Sequence, residues 1–465
     1  MLKNPKLGLV LALVCAGSMW FYVSRILVPY QRADAVAHER PRGNLSDLYP
    51  RWLGSRELLL HHRNPYSREV TREIQVGYYG RELDASRPED PIDQQGFAYP
   101  VYVAFLLAPS VGFPFERVMI AFFWLLVAVT ALSVPLWFRA IGWRAPPILL
   151  VTAVVLTLGS FPPLQALKLQ QLTLLVAGLL AGAMALLVGR HLFAAGAMLA
   201  VASIKPQLVV PITACLLLWA LSDWRRRQGF VWGFASTMAL LFAGSQLLLP
   251  GWFGNFLMAM RDYRNYAGRM SMLDVLLTPW WGRILTALMV AAVAAICWRF
   301  RDRPAGSGAF SLVIALVLAI TVIIIPMFAP YNFILLLPAL LVLVENRSVL
   351  WARGWISRAG FMLGVIAVAW PWVTAVGLGF ASLFLSPETV QRWWWLPLYT
   401  CAKTPMPIVC LIPLSILLIA MWQEHETRVL EAAPPTGMVA CPKKIALRFK
   451  PAICRPKLAL SGRKR

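Results

Sequence analysis

Acidic side chains are scarce in this chain of 465 residues: 21 Asp and Glu stand against 44 Lys and Arg, a formal charge of +23. None of the acids lies centrally in an apolar run. A basic excess can mark a nucleic-acid binder. Here the basic residues are spread over short loops and a tail between apolar runs, the pattern of membrane topology and of attraction to anionic lipid, so nucleic acid is excluded as a partner. Cysteine is also sparse: residues 15, 215, 297, 401, 410, 441 and 454 form no C-x-x-C pair and no metal-ligand spacing, and read as small apolar packing residues. The first apolar run is long, no small-residue cleavage site follows it, and Cys15 has no small residue directly before it. These features weigh against a cleaved signal peptide and a lipoprotein, and the segment is read as an uncleaved anchor. No internal repeat is visible, direct or inverted.

What is present is apolar: 59% of the residues are hydrophobic, and runs such as 310–326 contain no charge. A spanning helix needs roughly 20 mainly apolar residues, and backbone in lipid must bond to itself, so the expected fold class is an all-α integral membrane bundle. The polar gaps predict about twelve transmembrane helices, near 7–29, 116–138, 145–160, 172–188, 192–204, 206–221, 230–249, 283–298, 310–325, 331–344, 359–380 and 404–422. Basic residues collect on the cytoplasmic side of short loops. Lys3, Lys6, Arg139, Arg144, Arg190, Arg225 to Arg227, Arg299, Arg301, Arg303, Arg347, Arg353 and Arg358 mark that side, with the tail after Trp422. Segment 97–113, limited by Pro100, Pro109 and Pro114, would break the parity and is read as re-entrant. The expected organisation is an anchor over 1–29, an outer loop over 30–115, a multi-span domain over 116–422, and a basic, disordered cytoplasmic tail over 423–465.

Eleven of the 21 acids fall within the outward-facing stretch 28–97, beginning at Asp34 and Glu39 and ending at Glu89, Asp90 and Asp93. The stretch has too little apolar mass for a core of its own and must pack on the membrane helices. Within it, residues 46–62 read as a helix with Ser46 as N-cap and Pro50 in the first turn. Asp47 and Arg51 then share a face. Asp47 has two readings: a helix-start acid paired with Arg51, or a base half-buried by Leu48, Tyr49 and Trp52. Glu57, Asp90 and Asp93 compete with it. The segment from Glu89 to Asp93 lies in a Pro-rich loop and reads as a solvated face, and the other acids read as partners for the ten arginines of the same stretch.

Among cations, Lys205 stands between two apolar segments, either as a snorkelling side chain or as a site for an anion such as a lipid phosphate. A second outer loop, 250–282, holds Arg261, Arg264 and Arg269 with Trp252, Tyr263, Tyr266, Trp280 and Trp281. Arginines there run against the charge rule, so they are either phosphate ligands or solvated charges in an aromatic belt. Trp393 to Trp395 invite the same two readings. His61 and His62 form a candidate proton-transfer pair, and His38 reads as surface.

The series DLYPRWLGSRELLLHHRNPYS, QQGFAYPVYVAFLLAPS, KLQQLTLL, ASIKPQ and PMFAPYNFILLLPALL resembles glycosyltransferase family 87. These are membrane enzymes of the GT-C fold, and they include polyprenyl-phosphate-mannose-dependent phosphatidylinositol mannoside mannosyltransferases. The resemblance implies an inverting hexosyltransferase of the plasma membrane, a bacterial inner membrane, with its active site facing outward. Its implied partners are a polyprenyl-phosphate sugar, a lipid or glycan acceptor, and membrane lipids. The family's base maps onto Asp47. Lys205 and Gln207 match its Lys-Pro-Gln element, and Tyr331 and Asn332 its late helix-start motif. Lys205, Gln207 and Arg51 are thereby expected at the donor phosphate, with Tyr99, Gln171, Tyr331, Asn332, Arg261, Arg264 and His61 as further candidates. Two departures stand out. The family's Gly-Gln is Gln170-Gln171 here, and its Tyr-Pro-Pro is Tyr99-Pro100-Val101. No D-x-D occurs at Asp47, so no metal and no other cofactor is expected. A transporter or flippase of lipid-linked saccharides is the alternative. An O-antigen polymerase or ligase fits less well, since those place the large outer loop late in the chain.

Overall fold

The computed structural model describes residues 4–39, 46–84, 86–88, 90–266, 270–326, 329–403 and 405–432, and all the regular secondary structure among them is helical. Most of the expected basic tail therefore lies outside the described residues, as does Arg269.

Each of the twelve apolar segments is helical. Their lengths divide them. Helix α1 (Pro5–Ala37) starts behind an Asn4 cap with proline in its first turn, and a π-helical stretch, Tyr22–Leu27, interrupts it. At 33 residues it is long enough to cross a bilayer and project beyond it. The segment after α1 then supplies α2 (Leu48–His61) and α3 (Arg68–Tyr79). Segment 97–113 contains one short helix, Val103–Leu107, and a 3-10 turn, Ala108–Ser110, too short to span.

The membrane portion continues with α4 (Phe115–Ile141), α5 (Pro147–Leu158), α6 (Phe161–Leu169), α7 (Thr173–Val188), α8 (Leu192–Ala202) and α9 (Pro206–Leu221). It ends with α10 (Trp224–Leu248), α11 (Trp252–Tyr266), α12 (Pro279–Phe300), α13 (Gly308–Ile324), α14 (Pro330–Glu345), α15 (Trp355–Ala381) and α16 (Met406–Ala432). Six stretches among the described residues are long and apolar enough to cross a membrane: α1, α4, α10, α12, α15 and Pro387–Gln423. A seventh forms if α5 and α6, bent by 54°, count as one. Helices α7, α8, α9, α13 and α14 have 11 to 17 residues. At 1.5 Å per residue they reach about 16–26 Å, short of a hydrocarbon core of about 30 Å.

These short helices form the protein's interior. Nearly every side chain of α13 is buried, as expected of a helix apolar on all sides. Helix α8 lies so close to α10 that a Cβ on Gly196 would strike the Phe230 carbonyl oxygen, and one on Gly233 the Phe193 carbonyl oxygen.

The bundle has chemically distinct ends. Arg227 donates to the carbonyls of Trp219, at 2.6 Å, and Arg301, at 2.9 Å, and the Trp219 indole donates to the Arg303 carbonyl at 2.9 Å. That end holds the end of α9 and the start of α13. The other end of α9 begins after Lys205, and α13 ends before Tyr331 and Asn332. The arginine loops and Lys205 are therefore separated by about 24 Å of helix.

Candidate active site

Asp47 caps α2, and both it and Ser46 tie that helix to the end of α6. The Asp47 amide donates to the Leu169 carbonyl at 2.9 Å, and the Ser46 hydroxyl reaches the same carbonyl at 3.4 Å. The cap thus falls one residue after the expected Ser46, and the helix begins at Leu48. Ser46 still accepts the Leu48 amide at 3.1 Å. The expected side-chain pairing of Arg51 with Asp47 is not formed, because the Arg51 guanidinium bonds to the backbone carbonyl of Asp47 and lies over the Tyr99 ring at 4.7 Å. This frees the carboxylate. Its Oδ1 accepts the Tyr78 hydroxyl at 3.2 Å, and its Oδ2 accepts the Gln171 amide.

Tyr78 arrives on α3, which approaches α2 closely because Gly77 meets the Tyr49 ring directly. Burial, and then the neighbouring Asp47 charge, hold the Tyr78 phenol well above its usual pKa, so it remains a donor.

Gln171 is aimed by the reversal that ends α6. Gln170 is left-handed, at φ 51° and ψ 46°, and the Gln171 amide turns back to the Ala166 carbonyl at 2.8 Å. This is the backbone position that suits glycine, which gives a physical reason for Gly-Gln in the family that the chain resembles. Here the Gln170 side chain compensates by donating to the Met119 carbonyl.

The Gln171 side chain then spans two charged groups. Its oxygen accepts from Lys205 Nζ at 3.2 Å, while its nitrogen donates to Asp47. Lys205 also donates to the Thr173 hydroxyl at 2.7 Å and lies over the Tyr331 ring at 4.9 Å. Thr173 in turn bonds to Asn332 at 3.2 Å. Lys205 is buried in the turn between α8 and α9. Burial, with Arg51 adding to it and Asp47 opposing, pushes its pKa down to about 7. An ammonium has three donors, and two are taken.

The structure therefore joins Asp47, Arg51, Tyr99, Gln171, Lys205, Tyr331 and Asn332 in one network. Gln207, partly buried in the first turn of α9, has no hydrogen bond to it among the described residues. Arg261 and Arg264 are exposed on α11. His61 belongs to a separate cluster, in which the buried Glu57 carboxylate contacts His61 at 3.1 Å and Arg63 at 2.8 Å, and Arg63 pairs with Glu73. Sequence reasoning did not single out Tyr78 or Thr173. The steep amphipathic pattern of α3 and its Tyr78-Tyr79 pair was the available signal for the first. Thr173 looks like any first-turn threonine.

Residues 97–326 match the model of glycosyltransferase family 87. The chain thus carries a glycosyltransferase family 87 domain over those residues. With its apolar helices, this makes it a membrane glycosyltransferase. No curated protein and no solved structure matches it. The matched region supplies Tyr99, Gln171 and Lys205, whereas Asp47 lies before it and Tyr331 and Asn332 after it. The network thus combines family-matched residues with residues that only the fold brings to them. Among the described residues, no group of three or more His, Cys, Asp or Glu side chains comes together.

Proposed function

We infer that this family 87 glycosyltransferase moves a hexose such as mannose from a polyprenyl-phosphate donor to a lipid or glycan acceptor, with inversion, on the outer face of the plasma membrane. The observation that carries the reading is the Gln171 side chain, which bridges a carboxylate and a buried ammonium. In the reaction, an acceptor hydroxyl attacks the anomeric carbon, its proton passes to Asp47, and the carbon–phosphate oxygen bond breaks with its electron pair going to the phosphate. Asp47 is the general base. Polyprenyl phosphate leaves as an anion and needs no acid, but its developing charge needs a cation. Lys205 meets that need with its remaining N–H, and Arg51 adds positive charge nearby. The Tyr331 ring lies against the ammonium, and Asn332 holds the Thr173 hydroxyl to which it donates.

Two further observations support the reading. An apolar cavity of about 370 Å³ is lined by Phe161, Pro163, Phe333, Leu337, Val365 and Trp372 among others, and Phe333 directly follows Asn332. Such a cavity suits a hydrocarbon chain. The arginine-rich loops lie at the opposite end of the bundle from Lys205, and the positive-inside rule then favours an outward site.

The test is the purified protein in lipid nanodiscs, given synthetic polyprenyl-phosphate mannose labelled in the sugar, with a bacterial membrane-lipid extract as acceptor. Label moving to a new lipid or glycan supports the reading. Movement of intact donor across a vesicle membrane, with no new bond to the sugar, would point to a flippase instead.

A further inference from the structure

The loop that follows α3 carries a second carboxylate within electrostatic reach of Asp47. Its neighbouring acids are tied up locally. Asp90 is gripped by Arg81, which holds its carboxyl down to about 2, and Asp84 accepts the Ser86 amide and hydroxyl at 2.9 and 2.7 Å. Asp93 differs from both. Its carboxylate receives only the backbone amide and side-chain amide of Gln95, each at 3.0 Å, and no cation pairs with it among the described residues.

Asp93 is nevertheless drawn inward rather than solvated, against the expectation for this loop. The Tyr79 hydroxyl holds its backbone carbonyl at 2.8 Å, and the Gln75 amide holds the adjacent Gln94 carbonyl at 3.2 Å. Burial pushes its carboxyl upward, Asp47 adds to this, and Arg51 opposes it. Tyr78 and Tyr263 also lie within reach of its charge.

The two oxygens of Asp47 define two sides. Oδ2 faces Gln171 and, through it, Lys205. Oδ1 faces Tyr78, whose ring packs edge-on against Tyr79 at 4.8 Å, and Tyr79 holds Asp93. Lys205 and Asp93 each interact electrostatically with Asp47 and Arg51. In an inverting displacement the nucleophile enters opposite the leaving group. With the phosphate at Lys205, the Asp93 side is the acceptor side.

We propose that Asp93 is an acceptor-binding residue, whose carboxylate accepts hydrogen bonds from hydroxyls adjoining the one that Asp47 deprotonates. The acceptor is then a polyhydroxylated headgroup, not an isolated hydroxyl. This rests on the transfer reading above, with Lys205 at the phosphate. A partly buried carboxylate with free lone pairs suits neighbouring hydroxyl donors, because charge-assisted bonds are roughly twice as strong as neutral ones.

The experiment measures transfer from polyprenyl-phosphate mannose to octyl α-mannoside, alongside hydrolysis of the same donor by water, in nanodiscs. Asp93→Asn is expected to raise the KM for octyl α-mannoside at least tenfold while the donor KM moves less than twofold, which also shows that the variant is folded. Asp90→Asn, in the same loop, should change neither. An acceptor KM within twofold of the parent, or a donor KM rising in step with it, overturns the proposal. Hydrolysis without any transfer to octyl α-mannoside by the parent protein also overturns it and leaves the donor reading standing. Neither hydrolysis nor transfer to any acceptor would sink the donor reading itself.

Discussion

Replacing Asp47 by Asn isolates the base from everything else that this residue does. Its amide keeps the volume and the α2 connection through the backbone to Leu169. It can also satisfy both neighbours: its oxygen accepts from the Gln171 amide, which can only donate there, and its NH2 points to the Tyr78 hydroxyl, which can turn to accept. The fold should therefore survive, with a melting temperature close to that of the parent. What is lost is proton acceptance. General-base assistance contributes about 10² to 10⁴ in rate, which at 1.36 kcal/mol per factor of ten is about 2.7–5.4 kcal/mol of barrier. Asp47→Ala is a different perturbation, since it leaves the Tyr78 hydroxyl and the Gln171 amide without an acceptor, at about 1–3 kcal/mol of stability each. The decisive assay is single-turnover transfer from polyprenyl-phosphate mannose with saturating donor and acceptor, beside a thermal melt of each protein. An Asp47→Asn rate within threefold of the parent would refute the base assignment. A rate loss accompanied by a melting point as low as that of Asp47→Ala would reassign Asp47 to structure.

Other consequences are as direct. Lys205→Ala removes a charge-assisted bond of about 1.5–3 kcal/mol, so affinity for polyprenyl phosphate should fall roughly tenfold to a hundredfold; an unchanged Kd refutes the phosphate role. Because burial lowers the Lys205 pKa to about 7, the protonated, anion-binding form is lost as pH rises through that value. Parent affinity should therefore weaken between about pH 6 and pH 8, and Lys205→Ala should flatten the slope. Gly196→Ala drives a methyl into the Phe230 backbone of α10 and should cost about 1–3 kcal/mol in thermal unfolding, whereas Gly17→Ala, which meets open space, should cost nothing measurable. Ile92, which is 73% exposed, can report sidedness: in a background free of native cysteine, Ile92→Cys should react with an impermeant thiol reagent from outside, and labelling only from the cytoplasm would reverse the orientation.

Composition and apolar periodicity were enough to establish an all-helical membrane protein, to place each of the twelve apolar segments on a helix, and to bring out Asp47, Lys205, Gln171, Tyr331 and Asn332 through their resemblance to one family. Those properties are local, since they depend on runs of side chains and on short motifs that can be read in order along the chain. Hydropathy alone could not decide which segments are long enough to cross a bilayer, because apolar character does not distinguish a lipid-facing helix such as α10 from a fully enclosed one such as α13. The site depended still more on the fold. Spacing put Arg51 beside the Asp47 carboxylate, whereas the structure gives that carboxylate to Tyr78 and Gln171, residues 31 and 124 positions away. Composition put Asp93 in solvent, and two contacts from α3 pull it inward. A carboxylate's role is set by which donors reach its two oxygens, and only the packing of α2 against α3 and the end of α6 decides that.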